Sequence, residues 1–288
     1  MTNFSLMKKI IFCLAICLVS ILQSAAQITA NDVFNSIIKE TGSNPVPNTV
    51  DVVKDGDPQT KVTGIVTTMF ATMDVLKKAV ELKCNMIISH EPLYYNHLDN
   101  TESLKNDPVF QQKQKFIHDN NLVVWRFHDY IHRIKPDGIL QGMVAKLGWQ
   151  KFMVNGNYSQ FTIPETTLEG LLKELKKTFP KNSFYVVGNK DMKVRNIRLA
   201  PGAPGSAMHI RLLEDENVEV VVAGEAQQWE TYEYTRDAVS QGRKKAVIFL
   251  GHVSSEEAGM EWCASWLKGF IKGIPVNFVE SGPSYWSY

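Results

Sequence analysis

Cysteine is scarce: four in 288 residues, and Cys13 and Cys17 lie inside one apolar N-terminal run. The other two, Cys84 and Cys263, are far apart and lack the close ligand spacing of a structural zinc site. A disulfide between them would need Cα atoms within about 7 Å. Two buried free thiols is the simpler expectation. An excess of one charge is also missing, since 31 Lys and Arg face 30 Asp and Glu. That balance gives no electrostatic footprint for nucleic acid or an anionic membrane surface. No internal repeat or low-complexity tract occurs, which excludes solenoids and propellers. The glycine loop "PGAPGS" (201–206) carries neither a GxGxxG nor a Walker pattern, so it is expected to be a turn before a helix.

Long apolar runs are equally rare. The one that stands out, "IIFCLAICLVSIL", follows Lys8 and Lys9 and precedes the small residues "SAA". This is the pattern of a secretory signal peptide, and the run is short for a membrane span of about 20 residues. Residues 1–26 are therefore expected to be removed, leaving an exported, periplasmic or secreted protein with no membrane partner. Losing the two lysines changes the formal charge from +1 to −1.

What recurs after residue 27 is a unit of strand, polar turn and helix. "VTGIVTTM", "NMIISH", "NLVVWRFH", "VEVVVAGE" and "KAVIFLGH" are rich in β-branched and apolar residues, with helical spacing between or after them. Continuous apolar strands alternating with helices predict an α/β fold with a mainly parallel sheet covered on both faces. From 151 to 214 the pattern changes to an amphipathic helix, with Leu168, Leu171, Leu172, Leu175 and Phe179 on one stripe, flanked by short strands. Thr166 and Glu169 fit a capping box for that helix. The expected division is a main domain of 27–150 with 215–288, and a smaller inserted α/β domain over 151–214.

The strand ends carry the chemistry. In parallel sheets, ligands sit beyond the carboxyl ends of the strands. Here those ends offer His90 with Glu91, His128 with His132, Glu225, and His252 with Glu256. Imidazoles mixed with carboxylates, without thiolates, suit a divalent first-row ion. Each residue also has a structural reading: a lone strand-end histidine is commonly a hydrogen-bonded core residue, and Glu256 can serve in the first turn of a helix capped by Ser254 or Ser255. Convergence favours the metal, because these groups would be costly to bury together without a partner.

The same residues resemble the Nif-three-like dinuclear-metal proteins, also described as type 2 GTP cyclohydrolase I-like. That family carries "SHHPL", "HTxxD", "TGE" and "GHYxSE" in order. This chain has "SHEPL" (89–93), "FHDYIH" (127–132), "AGE" (223–225) and "GHVSSE" (251–256). The resemblance spans roughly residues 28–280. It implies a pair of divalent ions (Zn, Mn, Fe, Co or Ni) held by His90, Glu91, His132, His252 and Glu256, with Glu256 bridging. Catalytic roles fall to Glu225 and His128, the latter facing the substrate or supporting the ligands. It also implies a metal-dependent hydrolase acting on a small molecule, in a ring-shaped homo-oligomer, with a non-catalytic metal-binding oligomer as the alternative. Two departures stand out. The family's second histidine is Glu91 here and its aspartate is His132, so an imidazole and a carboxylate have exchanged places.

Overall fold

The computed structural model describes residues 28–286; the expected signal segment lies outside them. Helix α1 (Ala30–Glu40) opens the fold. Thr29 and Asp32 cap it reciprocally, and Val33, Phe34 and Ile37 face the core. Four strands follow: β1 (Val53–Asp55), β2 (Ile65–Thr68), β3 (Met86–Ser89) and β4 (Val123–Arg126). Helix α2 (Met73–Glu81) lies between β2 and β3, and α3 (Pro108–Asp119) between β3 and β4. Strands β2, β3 and β4 are parallel and buried throughout, as their unbroken apolar runs predict, and β1 joins the edge antiparallel to β4.

After α4 (Gly138–Leu147) the chain builds a second sheet from β5 (Met153–Val154), β6 (Asn157–Thr167), β7 (Tyr185–Val187), β8 (Lys193–Ala200), β9 (Val220–Ala223) and β10 (Ala246–Phe249). Its order is β5-β6-β8-β9-β10-β7, with a parallel centre of β8, β9 and β10. Helices α5 (Leu168–Thr178), α6 (Ser206–Glu214) and α7 (Glu233–Ser240) connect its strands. The chain then runs through α8 (His252–Phe270) and returns to the first sheet as β11 (Val276–Phe278), parallel to β2.

The division therefore differs from the expected one. Strands β9 and β10 do not join the first sheet: Ile197 pairs with Val220, and Val247 with both Val221 and Val187. The second unit is a full sheet over 153–249 rather than an insert ending at 214, because an apolar run specifies burial but not which sheet buries it. The α5 cap is Thr167, whose side chain accepts from the Gly170 amide, one residue later than the expected Thr166.

Helices α4 and α8 join the two sheets. Ile139, Met260, Cys263, Ala264 and Leu267 pack on the first core, while Met143, Val144 and Ala258 pack on the second. Their backbones cross closely: a Cβ on Gly142 would lie 2.1 Å from the Ala258 carbonyl oxygen, and one on Gly259 2.6 Å from the Ile139 Cα. Cys84 and Cys263 are free and buried. Among the described residues, no helix is long and apolar enough to cross a membrane.

Candidate metal centre

The strand-end residues meet, but from two sheets rather than along one edge. His90 and Glu91 follow β3, and His128 and His132 follow β4, all at the rim of the first sheet. Glu225 follows β9 and His252 follows β10, at the rim of the second. Gly251, at φ +89°, turns the chain so that α8 begins at His252 and places Glu256 one turn on. That start overturns the Ser254 or Ser255 cap, and with it the reading of Glu256 as a first-turn acid. His132 sits in a single 3₁₀ turn (Ile131–Arg133) rather than on an α-helical face with His128.

The contacts are short. Glu256 Oε2 lies 3.0 Å from His252 Nε2 and 3.4 Å from His90 Nε2. Glu91 Oε1 lies 3.3 Å from His252 Nε2 and 3.7 Å from His128 Nε2. Ligand-capable atoms of His90, His128 and His132 all fall within 4.8 Å of one another, as do those of His90, Glu91 and Glu256. The His90 and His128 rings are nearly parallel, with centroids 4.7 Å apart, and the His132 ring meets both edge-on.

Each imidazole is held from behind through Nδ1. The partners are the Phe127 carbonyl for His90 (3.1 Å), Asp129 for His128 (3.0 Å), Asp137 for His132 (2.9 Å) and Glu225 for His252 (3.0 Å). This is the outer arrangement that fixes the tautomer of metal-ligating histidines and leaves Nε2 to the ion. His90 Nε2 is fully buried with no hydrogen-bond partner. An orphaned imidazole nitrogen facing two imidazoles and two carboxylates is a chemical fit for a divalent cation.

Three supporting residues were not anticipated as part of the site. Asp51 accepts from the amides of His128, Asp129 and Tyr130 and so fixes the β4 loop. Arg126, fully buried at the end of β4, donates to the His90 carbonyl at 3.1 Å and to Glu91 Oε2 at 3.1 Å. Gly202, in the turn before α6, leaves no room for a side chain against Glu256: a Cβ there would lie 2.3 Å from Oε1. Arg126 had a visible signal, a charge inside the apolar strand "VVWRFH". Asp51 and Gly202 come from distant segments and had none.

The model for DUF34/NIF3 (NGG1p interacting factor 3) matches residues 47–283. The chain belongs to the DUF34/NIF3 family. A GTP cyclohydrolase 1 type 2 homolog of Clostridium acetobutylicum is 25% identical over 234 residues, covering 77% of this chain and 82% of that one. A Bacillus cereus protein related to NIF3 superposes with a TM-score of 0.72 at 13% identity, over 91% of this chain and all of the other. A Staphylococcus aureus protein gives 0.68 at 14%, over 91% and 99%. At such identity these structures establish the fold, a mixed α/β arrangement.

Within this candidate centre of a NIF3-family chain, carboxylates and imidazoles shift one another's titration. Burial alone would raise the Glu91 carboxyl, but the His252 hydrogen bond and the neighbouring imidazoles hold it below the usual range. Glu256 behaves in the same way under His90 and His252. Burial opposes charge on His252, yet Glu225, Glu256 and Glu91 together push it up to about 12. Burial dominates at His128 and takes it down to about 4. His132 is raised, because Asp137 outweighs its burial.

Proposed function

We propose that this chain is an exported hydrolase built around two divalent cations. The single observation that supports it most is the orphaned His90 Nε2, buried among imidazole and carboxylate groups that are themselves oriented from behind. His90, His128 and His132 would hold one cation. Glu91, His252 and Glu256 would hold the other, with Glu256 reaching toward both through its contacts with His90 and His252. When bound, such cations acidify water towards neutrality and polarise the substrate's electrophilic atom.

The chain's own residues do the rest. Arg126 ties up Glu91 Oε2 and leaves Oε1 facing His252 and His128, so this carboxylate offers the centre one oxygen. Glu225 orients His252 through Nδ1. It is also half-exposed, with its other oxygen free to take a proton from an arriving water and release it to solvent. Assembly into a homo-oligomer and export to the periplasm or medium complete the proposal. Sedimentation velocity and cell fractionation test those two parts.

The test of the whole is elemental analysis of protein purified without chelators, followed by turnover assays with phosphoesters, nucleotides and amides. The proposal expects two equivalents of a transition metal and a metal-dependent hydrolysis. Stoichiometric metal without turnover of any substrate class would instead make the chain a metal-holding protein.

A further inference from the structure

A cleft of about 760 Å³ opens beside the metal-capable cluster. His252 and Glu225 form part of its wall, so a molecule seated there reaches the centre. Much of the remaining wall is aromatic: Phe70, Tyr185, Tyr232, Phe249, Tyr285 and Trp286. Tyr232 and Phe249 are already stacked on each other at 4.2 Å. The outer rings are not covered in this way. Tyr185 and Tyr285 are each 57% exposed and Trp286 82%.

Residues 281–285 are tied to this wall. The Ser281 amide donates to the buried Glu257 carboxylate at 2.7 Å and the Gly282 amide to the same oxygen at 3.3 Å. The Tyr285 hydroxyl then approaches Gly251, the residue before His252, to 3.3 Å of where a Cβ would stand. Aromatic faces held in water around a concave site mark a surface built for a partner. The volume matches a small-molecule pocket, of about 300–1,000 Å³, and not the broad face that a protein partner of about 800 Å² per side would need. Charge narrows the ligand further. Among the described residues Lys181 is the one Lys or Arg lining the cleft, and the acidic Glu225 lines it too. A triphosphate is usually held along its length by a cluster of cations or a glycine-rich nest, and away from the metal-capable centre neither is present among the described lining residues.

We propose that the cleft is the substrate subsite of the centre and takes a flat aromatic or heteroaromatic group bearing no more than one negative charge. The ring stacks on Tyr185, Tyr285 and Trp286, and the reacting bond points to His252 and Glu225. The chemistry at that bond rests on the hydrolase reading above, whereas the binding of the ring does not.

Isothermal titration calorimetry on the full chain tests this with 2-naphthoate, its saturated counterpart decahydro-2-naphthoate, and GTP. The flat acid is expected to bind at least about tenfold tighter than the puckered one of equal charge. Tyr285→Ala combined with Trp286→Ala is expected to weaken 2-naphthoate about tenfold, with thermal stability and metal content unchanged. Equal affinity for the two acids, tighter binding of GTP, or full retention by the double variant would each overturn the assignment. So would a variant that changes only the oligomeric state, since the rings would then serve a second copy of the chain. If chelated protein still binds 2-naphthoate, the subsite stands by itself. Absence of metal from the native protein would count against the hydrolase alone.

Discussion

At the residue scale, the exchange of Glu91 and His132 is the sharpest feature. Both side chains lie in the cluster, at opposite ends of it. Glu91 faces His252 and Arg126, while His132 faces His90 and Asp137. Each single reversal changes the charge around one cation, and the joint reversal restores the total. The double variant Glu91→His with His132→Asp is therefore expected to retain more metal than either single variant, by elemental analysis; a double worse than both singles would refute compensation. Glu256 touches both His90 and His252, so Glu256→Ala should cost both equivalents of metal. Retention of two would refute its shared role.

The same residues set a pH dependence for the metal-free protein. The raised His252 and His132 contribute stability that is fully present below their unfolded value of 6.5 and is lost as pH rises. His128, depressed by burial to about 4, works the other way: its stability is present above 6.5 and is lost as pH falls. Glu91 and Glu256 add to the acid side, below their unfolded value of 4.5. Chelated protein should therefore show its highest melting temperature near pH 6.5. A melting temperature still rising at pH 9 would contradict these assignments. Because a cation must displace the His252 proton, metal affinity should climb across the same alkaline range.

At the scale of the elements, strand and helix character was legible and partnership was not. "NMIISH" and "NLVVWRFH" could be recognised as buried strands ending in histidines because burial leaves its mark in consecutive apolar residues. The same mark on "VEVVVAGE" and "KAVIFLGH" could not reveal that they join a second sheet, since strand pairing depends on contacts far apart in sequence. The α8 start differs from the sequence expectation for a local reason: the cap is Gly251 at positive φ, whereas serine side chains are the stronger capping signal in sequence. The α4–α8 crossing was invisible, although its consequence is testable. Gly142→Ala forces a methyl onto the Ala258 carbonyl and should destabilise by about 1–3 kcal/mol in denaturant unfolding. No loss would mean that the helices can part without cost.

At the scale of the whole molecule, two sheets each bring half of a metal-capable cluster to a common rim, and the α4–α8 seam fixes the halves against each other. The order of four short motifs pointed to His90, Glu91, His132, His252 and Glu256 as candidates, and the fold gathers them; His128, expected in a catalytic role, falls instead within ligand distance of His90 and His132. Of their supports, Arg126 left a mark in the sequence as a charge inside an apolar strand, whereas Asp51, Asp137 and Gly202 became visible only with the fold. The most direct measurement of the central claim is anomalous scattering from crystals of protein purified without chelators. The account predicts two peaks roughly 3.5–4 Å apart, one against His90, His128 and His132 and the other against Glu91, His252 and Glu256. Crystals from metal-replete protein with no peak among these side chains, or with the imidazoles turned away from one another, would contradict it.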